Sequence, residues 1–154
     1  MNNIADMQRL SEIQDEIVGF TWKQIGDRAN KIYIQGKVTD DGSGNITFVE
    51  GNLKYAVVDG AVVGNSIVLS KDEFRENAAV VRPRIVELHD LLTGLQAKSP
   101  VRFRWSVDCE SGQVESDWTY YDDLTAQEKQ DDFWQHWKGD AAWKVQLEAE
   151  LAGE

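Results

Sequence analysis

Hydrophobic residues recur at helical spacing near the start of the chain. These apolar side chains lie three or four residues apart and form one stripe: Ile4, Met7, Leu10, Ile13, Ile17 and Phe20. The spacing predicts an amphipathic helix. We expect this helix to end near Gly19 and the β-branched Thr21.

From residue 31 the hydrophobic period changes to two, which predicts strands. Residues 31–39, 46–50, 53–59 and 66–70 are the candidates, and they are separated by glycine- and asparagine-containing turns: residues 40–45, Gly51-Asn52, Gly60 and Gly64-Asn65. Turns of this composition tolerate positive φ and are typical of hairpins. Short strands joined by short turns therefore predict a four-stranded antiparallel meander rather than a parallel sheet.

A second helical stripe follows the strands. Its apolar members step alternately by four and three residues: Phe74, Ala78, Val81, Ile85, Leu88, Leu92 and Leu95. Because Pro83 lacks an N–H and lies inside this run, we expect the main helix to begin near Arg82 and Pro83, after a looser turn over residues 72–79. Three heptads are too few to indicate a coiled coil, so the stripe is explained by burial against the sheet.

The last part of the chain predicts a hairpin and two helices. Apolar and polar residues alternate over residues 101–108, and residues 110–113 form a turn into a partner strand over residues 114–121. Thr125 and Glu128 have the spacing of a capping box, which predicts a helix over residues 125–138, and Asp140 is a candidate N-cap for a final helix carrying Trp143. Residues 1–154 are therefore predicted to form a single α+β domain.

The charge of the chain restricts its partners. The 154 residues include 16 lysines and arginines against 27 aspartates and glutamates, giving a net charge of −11. This balance argues against binding to nucleic acid or to an anionic membrane surface. No apolar stretch is long enough to span a membrane, and the N-terminus lacks the pattern of a signal peptide, so we expect a cytoplasmic protein.

The acidic residues are concentrated near the C-terminus. Residues 1–104 carry 14 acidic and 13 basic side chains, whereas residues 105–154 carry 13 acidic and three basic ones. Five of the six tryptophans also lie in residues 105–154. Large aromatic residues are rare in disordered acidic tails, so this segment is expected to fold with an anionic exterior.

No catalytic motif is evident in the sequence. The single cysteine, Cys109, lies between Asp108 and Glu110, which disfavour a thiolate. His89 is best explained as a partly buried structural residue and His136 as a surface residue; pairing of His136 with Asp132 is a weak indication of a metal site. Paired aspartates allow a carboxylate-dependent hydrolase as a minor alternative. We expect no cofactor, no metal and no catalysis.

Residues typical of protein interfaces cluster after the second hairpin turn. Strand alternation places Trp118 and Tyr120 on one face and Tyr121 on the other, so one aromatic group remains near the acidic residues after the core is filled. Aromatic anchors rimmed by charge are typical of protein-binding surfaces. The predicted partner-binding residues are Asp117, Trp118, Tyr120, Tyr121, Asp122, Asp123, Glu128, Asp131 and Asp132. An equally simple interpretation is that the aromatic residues pack the core and the carboxylates are solvated.

The order of these features resembles the YezG-like immunity proteins of bacterial polymorphic and contact-dependent toxin systems. The resemblance covers the order of elements over nearly the whole chain. Its specific part is the Gly112 turn and the Tyr-Asp-Asp-Leu segment at residues 121–124, which precedes a tryptophan-bearing helix; beyond Leu124 the match is loose.

The resemblance implies a small non-catalytic protein that binds and blocks a cognate toxin, often a nuclease. A basic nuclease surface would complement the acidic C-terminal segment. A general acidic adaptor module is the main alternative. The sequence leaves the oligomeric state open.

Overall fold

A computed structural model of the protein describes residues 3–40, 46–95, 100–124 and 136–153. Their elements, in chain order, are α1 (Asn3–Ile25), β1 (Lys31–Asp40), β2 (Ile46–Val58), β3 (Ala61–Gly64), α2 (Asn65–Val68), α3 (Lys71–Leu95), β4 (Pro100–Asp108), β5 (Val114–Tyr120), a 3₁₀ turn (Tyr121–Asp123) and α4 (His136–Ala152). No helix within these ranges is long and apolar enough to cross a membrane.

The described strands form one antiparallel sheet in the order β3-β2-β1-β4-β5. Helices α1 and α3 cover one face, which we call the apolar face, and α4 covers part of the other, which we call the polar face. The α+β class is therefore confirmed. The predicted four-stranded meander is instead a meander of three strands. The predicted strands 46–50 and 53–59 are one strand, β2, and β3 at residues 61–64 was not predicted, while the last predicted strand begins in helix α2.

The apolar face contains the main core, and the sequence pattern identified most of it. Alternate residues of β1 and β4 point at the helices, including Ile32, Ile34, Phe103 and Trp105, all with no exposed surface. The stripe of α3 meets them through four buried side chains: Val81, Ile85, Leu88 and Leu92. This confirms the prediction that the stripe is buried against the sheet.

Gly51 lies inside β2 and is not part of a turn, so the prediction of a turn at Gly51-Asn52 is wrong. Gly51 pairs with Gly36 of β1, and α3 crosses the sheet above both residues. A Cβ at Gly36 would lie 2.3 Å from Cδ1 of Ile85, and one at Gly51 would lie 3.0 Å from Cα of Arg82. These two glycines allow the helix to approach the sheet closely, and close backbone approach is a common reason for glycine in a strand.

A β-bulge at Lys54 changes the facing of β2. The register shifts between Tyr33 and Ile34 of β1, so that Lys54 and Tyr55 both face α4 while Leu53 faces the core. The Leu53 N–H donates to Oδ1 of the buried Asn77 at 2.7 Å. Asn77 thus satisfies a backbone group at the bulge, as buried polar groups require.

The boundaries of α2 and α3 contradict two predictions. Residues 65–68 are a short helix where a strand was expected, and α3 begins at Lys71, well before Pro83. The cause is a capping box: the Glu73 N–H donates to Ser70 Oγ at 3.1 Å, and the Ser70 N–H donates to Glu73 Oε1 at 3.0 Å. Arg28 and the Ser70 N–H lower the pKa of Glu73 to about 2. The Ser-x-x-Glu spacing was visible in the sequence.

Two residues taken as helix boundaries lie inside helices. Pro83 is an exposed residue within α3, where the Arg84 guanidinium donates to the carbonyl of Val80 at 2.8 Å. Thr21 lies inside α1, which continues to Ile25, and its hydroxyl donates to the carbonyl of Ile17 at 3.0 Å.

The final helix begins at His136, so Asp140 lies in its second turn and is not an N-cap. The predicted face is correct, since Trp143 and Leu147 are buried and Leu151 packs beside them. The expected capping box at Thr125 and Glu128 lies outside the described residues, as does most of the helix predicted over residues 125–138.

Candidate functional site on the second hairpin and C-terminal helix

The turn between β4 and β5 uses one of the acidic side chains as a structural element. Asp108 Oδ1 accepts the N–H groups of Glu110 at 2.9 Å and Ser111 at 3.2 Å, and Gly112 adopts a φ of +77°. These backbone donors lower the pKa of the Asp108 carboxyl. Asp108 therefore stabilises the hairpin, because its carboxylate is engaged by the backbone of the turn.

The predicted aromatic residues divide between the core and the surface. Trp118 packs edge to face on Phe103 at a centroid distance of 5.9 Å and joins the core of the apolar face. Tyr120 is half-buried opposite Pro100. Tyr121 is 56% exposed in the 3₁₀ turn, so it is the aromatic group that remains accessible.

Three of the predicted carboxylates lie on the surface near Tyr121 or on the strand before it. Asp122 and Asp123 follow Tyr121 in the 3₁₀ turn and are exposed, while Leu124 at the end of the turn is buried. Asp117 is exposed on β5 directly opposite Arg104 of β4. The other predicted members, Glu128, Asp131 and Asp132, lie outside the described residues.

A groove between β5 and α4 adds two carboxylates that were not predicted. It has a volume of about 200 Å³, and its rim carries Glu115 and Asp117 from β5 and Glu150 from α4. Glu115 is two residues before Asp117, so strand alternation could have placed it on the same face. The contribution of Glu150 depends on where α4 lies over the sheet, which the local pattern does not specify.

Helix α4 is fixed on the polar face by a buried ion-pair cluster. Asp140 Oδ1 accepts Lys37 Nζ at 3.0 Å and Gln35 Nε2 at 2.8 Å, and Asp140 Oδ2 accepts Lys54 Nζ at 3.0 Å. Tyr55 adds a hydrogen bond from its hydroxyl to the Asp140 carbonyl at 2.8 Å. Asp140 therefore supplies an anchor rather than surface charge.

Burial and charge act in opposite directions within this cluster. Burial raises the pKa of the Asp140 carboxyl, but the Lys37 and Lys54 ammonium groups outweigh it and hold that pKa below its usual range. Burial lowers the pKa of Lys37, and Asp140 offsets part of this change. A paired carboxylate of this kind is a structural group and is poorly suited to act as a general acid.

Aromatic packing completes the contact of α4 with the sheet. Trp143 makes edge-to-face contacts with Tyr33 at 5.9 Å and Tyr55 at 5.7 Å, and the Arg104 guanidinium lies 4.2 Å from the centre of the Trp143 ring. The Arg104 Nε donates to Gln35 Oε1 at 2.8 Å. The helix therefore lies at a defined position beside the groove.

The described residues show little that would support catalysis. Within residues 3–40, 46–95, 100–124 and 136–153, no group of three or more histidine, cysteine or acidic side chains could hold a metal ion. His89 is fully buried, with Nδ1 3.4 Å from Asp90 Oδ1, where only partial burial was expected. Burial and, to a smaller extent, Asp108 raise the pKa of the Cys109 thiol, which makes it a weak nucleophile.

No protein-family model matches the chain, and no curated protein matches it. The resemblance to YezG-like immunity proteins therefore stays a prediction.

Proposed function

We propose that the protein is a non-catalytic immunity protein that binds and neutralises a cognate bacterial toxin, with a basic nuclease domain as the expected target. The binding surface consists of the 3₁₀ turn after β5 and the acidic rim of the groove between β5 and α4. We refer to it as the acidic surface, and its described members are Glu115, Asp117, Tyr121, Asp122, Asp123 and Glu150.

The observation that carries this proposal is the exposed Tyr121 directly before two exposed carboxylates. A tyrosine side chain supplies a large contact area at low entropic cost, so exposed tyrosines are frequent interface anchors. Its neighbours Asp122 and Asp123 are both exposed, and exposed carboxylates attract a basic surface from a distance. This combination favours a binding role over simple solubility.

The non-catalytic part of the proposal is supported by where the carboxylates lie. Acid and base catalysis by two carboxylates needs a cleft that gives them different environments. Asp122 and Asp123 are both exposed on a surface turn, and the buried Asp140 is paired with two lysines. A general acidic adaptor module is the second candidate, because it would use the same surface without a toxin.

Mixing experiments with the neighbouring toxin domain test the proposal. The toxin domain encoded by the reading frame directly upstream is purified and assayed with an equimolar amount of this protein. We expect toxin activity to be lost. Unchanged toxin activity at equimolar ratio would contradict the immunity function and leave the adaptor interpretation.

Surface variants test the assigned residues. Tyr121→Ala is expected to weaken toxin binding by about 10- to 100-fold. The double variant Asp122→Asn with Asp123→Asn should mainly slow association, and increasing ionic strength should slow the wild-type on-rate in the same way.

The matched control for the double variant is Asp15→Asn with Glu76→Gln. It removes the same charge from exposed positions on α1 and α3, on the opposite face of the sheet. Equal effects of the two double variants would show that net charge, and not the acidic surface, governs association.

A further inference from the structure

Strand β5 is the last strand of the sheet, and one of its sides has no neighbouring strand among the described residues. The Asp108 N–H donates to the Gln113 carbonyl at 2.9 Å, which fixes the alternation of hydrogen bonds along the β4–β5 pair. In an antiparallel pair every second residue bonds to the partner strand. The N–H and C=O groups of Val114, Ser116 and Trp118 therefore point away from β4, toward the open side.

This edge is accessible to a partner. Val114 is 44% exposed, and the next three residues, Glu115, Ser116 and Asp117, are also exposed. The opposite edge strand, β3, has only four residues and continues directly into α2. Very short edge strands resist pairing with another chain, so β5 offers a longer template than β3 does.

The side chains along β5 give the edge a chemical preference. Glu115 and Asp117 alternate with the outward-bonding residues and line the groove together with Glu150 of α4. Arg104 of β4 lines the same groove, so three carboxylates there are accompanied by one cation. A strand added beside β5 would place its own alternate side chains next to these carboxylates. Lysine or arginine at those positions would be favoured, and aspartate or glutamate would be repelled.

The same charges disfavour a second copy of this protein as the occupant. Antiparallel pairing of two β5 strands about Ser116 would place Glu115 of one copy opposite Asp117 of the other, twice. Like charges directly opposite each other destabilise a strand pair. The acidic residues on this edge therefore disfavour self-association and favour pairing with a strand that carries positive charge.

We propose that the β5 edge accepts an extended segment of the toxin with lysine or arginine at alternate positions, so that the complex forms a continuous sheet. The toxin as source of the segment rests on the function proposed above. Specificity comes from the carboxylates on the polar face, and main-chain hydrogen bonds come from residues 114, 116 and 118.

A proline substitution tests the edge without altering its charge. Ser116→Pro removes an N–H that points away from β4, so it deletes no hydrogen bond within the sheet, and proline is tolerated on edge strands. Ser116→Ala keeps the N–H and is the matched control. Both variants are compared with wild type in binding to the toxin domain and to an acetylated seven-residue peptide alternating lysine and valine.

We expect the peptide to shift the amide resonances of residues 114–118, and Ser116→Pro to weaken toxin and peptide binding by about tenfold or more relative to Ser116→Ala. A peptide alternating glutamate and valine should not bind. Equal affinities of the proline and alanine variants, or peptide shifts confined to other residues, would overturn the proposal.

Charge reversal provides a second test if Ser116→Pro fails to fold. Glu115→Lys with Asp117→Lys should lose the lysine peptide and gain the glutamate peptide, whereas Asp15→Lys with Glu76→Lys should bind as wild type does. The two proposals fail separately. If the protein neutralises the toxin but neither edge variant changes binding, only the proposal about the β5 edge is wrong. If the toxin is unaffected but the peptide binds at the edge, only the proposed toxin partner is wrong.

Discussion

The two faces of the sheet are covered by helices through different chemistry. The apolar face buries aliphatic and aromatic side chains under α1 and α3, with Trp105 at 0% exposure. The polar face buries Gln35 and Lys37 under α4, at 0% and 4% exposure. Alternation of polar and apolar residues is usually taken to mark a solvated strand face. Here Gln35 and Lys37 in the middle of β1 are nearly as buried as the apolar residues beside them.

This difference shows what each face contributes. Hydrophobic burial on the apolar face is non-directional and supplies most of the folding free energy. The ion pairs of the polar face are directional and offset their own desolvation cost, so they contribute less to stability and more to the position of α4. Because α4 carries one wall of the acidic groove, its position matters for the proposed binding surface.

The largest expected effect comes from the centre of the apolar face. Trp105→Ala removes a fully buried ring that stacks on Phe103 at 6.0 Å, and it should lower the free energy of unfolding by about 3–5 kcal/mol. Urea denaturation with an unchanged m-value would measure this loss. A loss below about 1 kcal/mol would mean that the apolar face is not the main core.

A smaller effect is expected from the anchor of the polar face. Asp140→Asn keeps the shape of the side chain but leaves Lys37 buried without its counter-charge, so the free energy of unfolding should fall by about 2–3 kcal/mol. Hydrogen exchange should locate the loosening in α4. The exposed Asp123→Asn is the control and should change stability by less than about 0.5 kcal/mol.

The double variant Lys37→Met with Asp140→Leu sharpens the comparison between the faces. It replaces Asp140 and one of its two lysine partners by apolar groups, while Lys54 keeps its ion pair with Glu50. Such replacements are often neutral or stabilising. We expect it to be more stable than Asp140→Asn. If it were less stable, the ion pairs themselves would be a major source of stability, and the contrast between the faces would be wrong.

The pH dependence of stability should identify the polar face as the acid-sensitive one. The folded-state pKa of Asp140 is held below the unfolded value of about 3.9, so its stabilisation is complete above that value and is lost as the pH falls through the folded pKa. Urea midpoints measured from pH 6 to pH 2.5 should fall less steeply in Asp140→Asn than in wild type. Glu73 titrates in the same acid range, so Glu73→Gln serves as the comparison.

The smallest effect concerns the start of α3 beneath the apolar face. Ser70→Ala removes the hydroxyl that accepts the Glu73 N–H and should lower the free energy of unfolding by about 1 kcal/mol. Ser66→Ala, at an exposed position in α2, is the control. A helix that truly began near Pro83 would make the two substitutions equivalent.

Hydrophobic period and turn residues predicted most of the apolar face and several ends of helices and strands. The wrong predictions arose where two local signals pointed to different ends of the same element. The stripe of α3 and the alternation of β4 predicted buried residues correctly, because hydrophobic period is a local property. The turn at Gly60 was also predicted correctly, although Asp59, which was expected to end the strand, shares its positive φ. The predicted start of α3 was wrong because the capping box of Ser70 and Glu73 begins the helix well before Pro83.

The candidate site was predicted in part for the same reason. Tyr121 and its neighbouring aspartates follow from the local sequence, as does the assignment of one aromatic residue to the core. That Trp118, rather than Tyr121, packs in the core depends on its cross-strand contact with Phe103. Glu150 joins the groove only because α4 lies beside β5.

The sequence by itself determined the α+β class, the apolar face and the concentration of acid beside aromatic residues near the C-terminus. Tertiary structure decided which polar residues are buried, that Gly51 admits a helix, and that Asp140 serves as an anchor. The physical reason is that hydrophobic periodicity and turn chemistry act between near neighbours. Ion pairing between Lys37 and Asp140, more than a hundred residues apart, acts only once the sheet has brought them together.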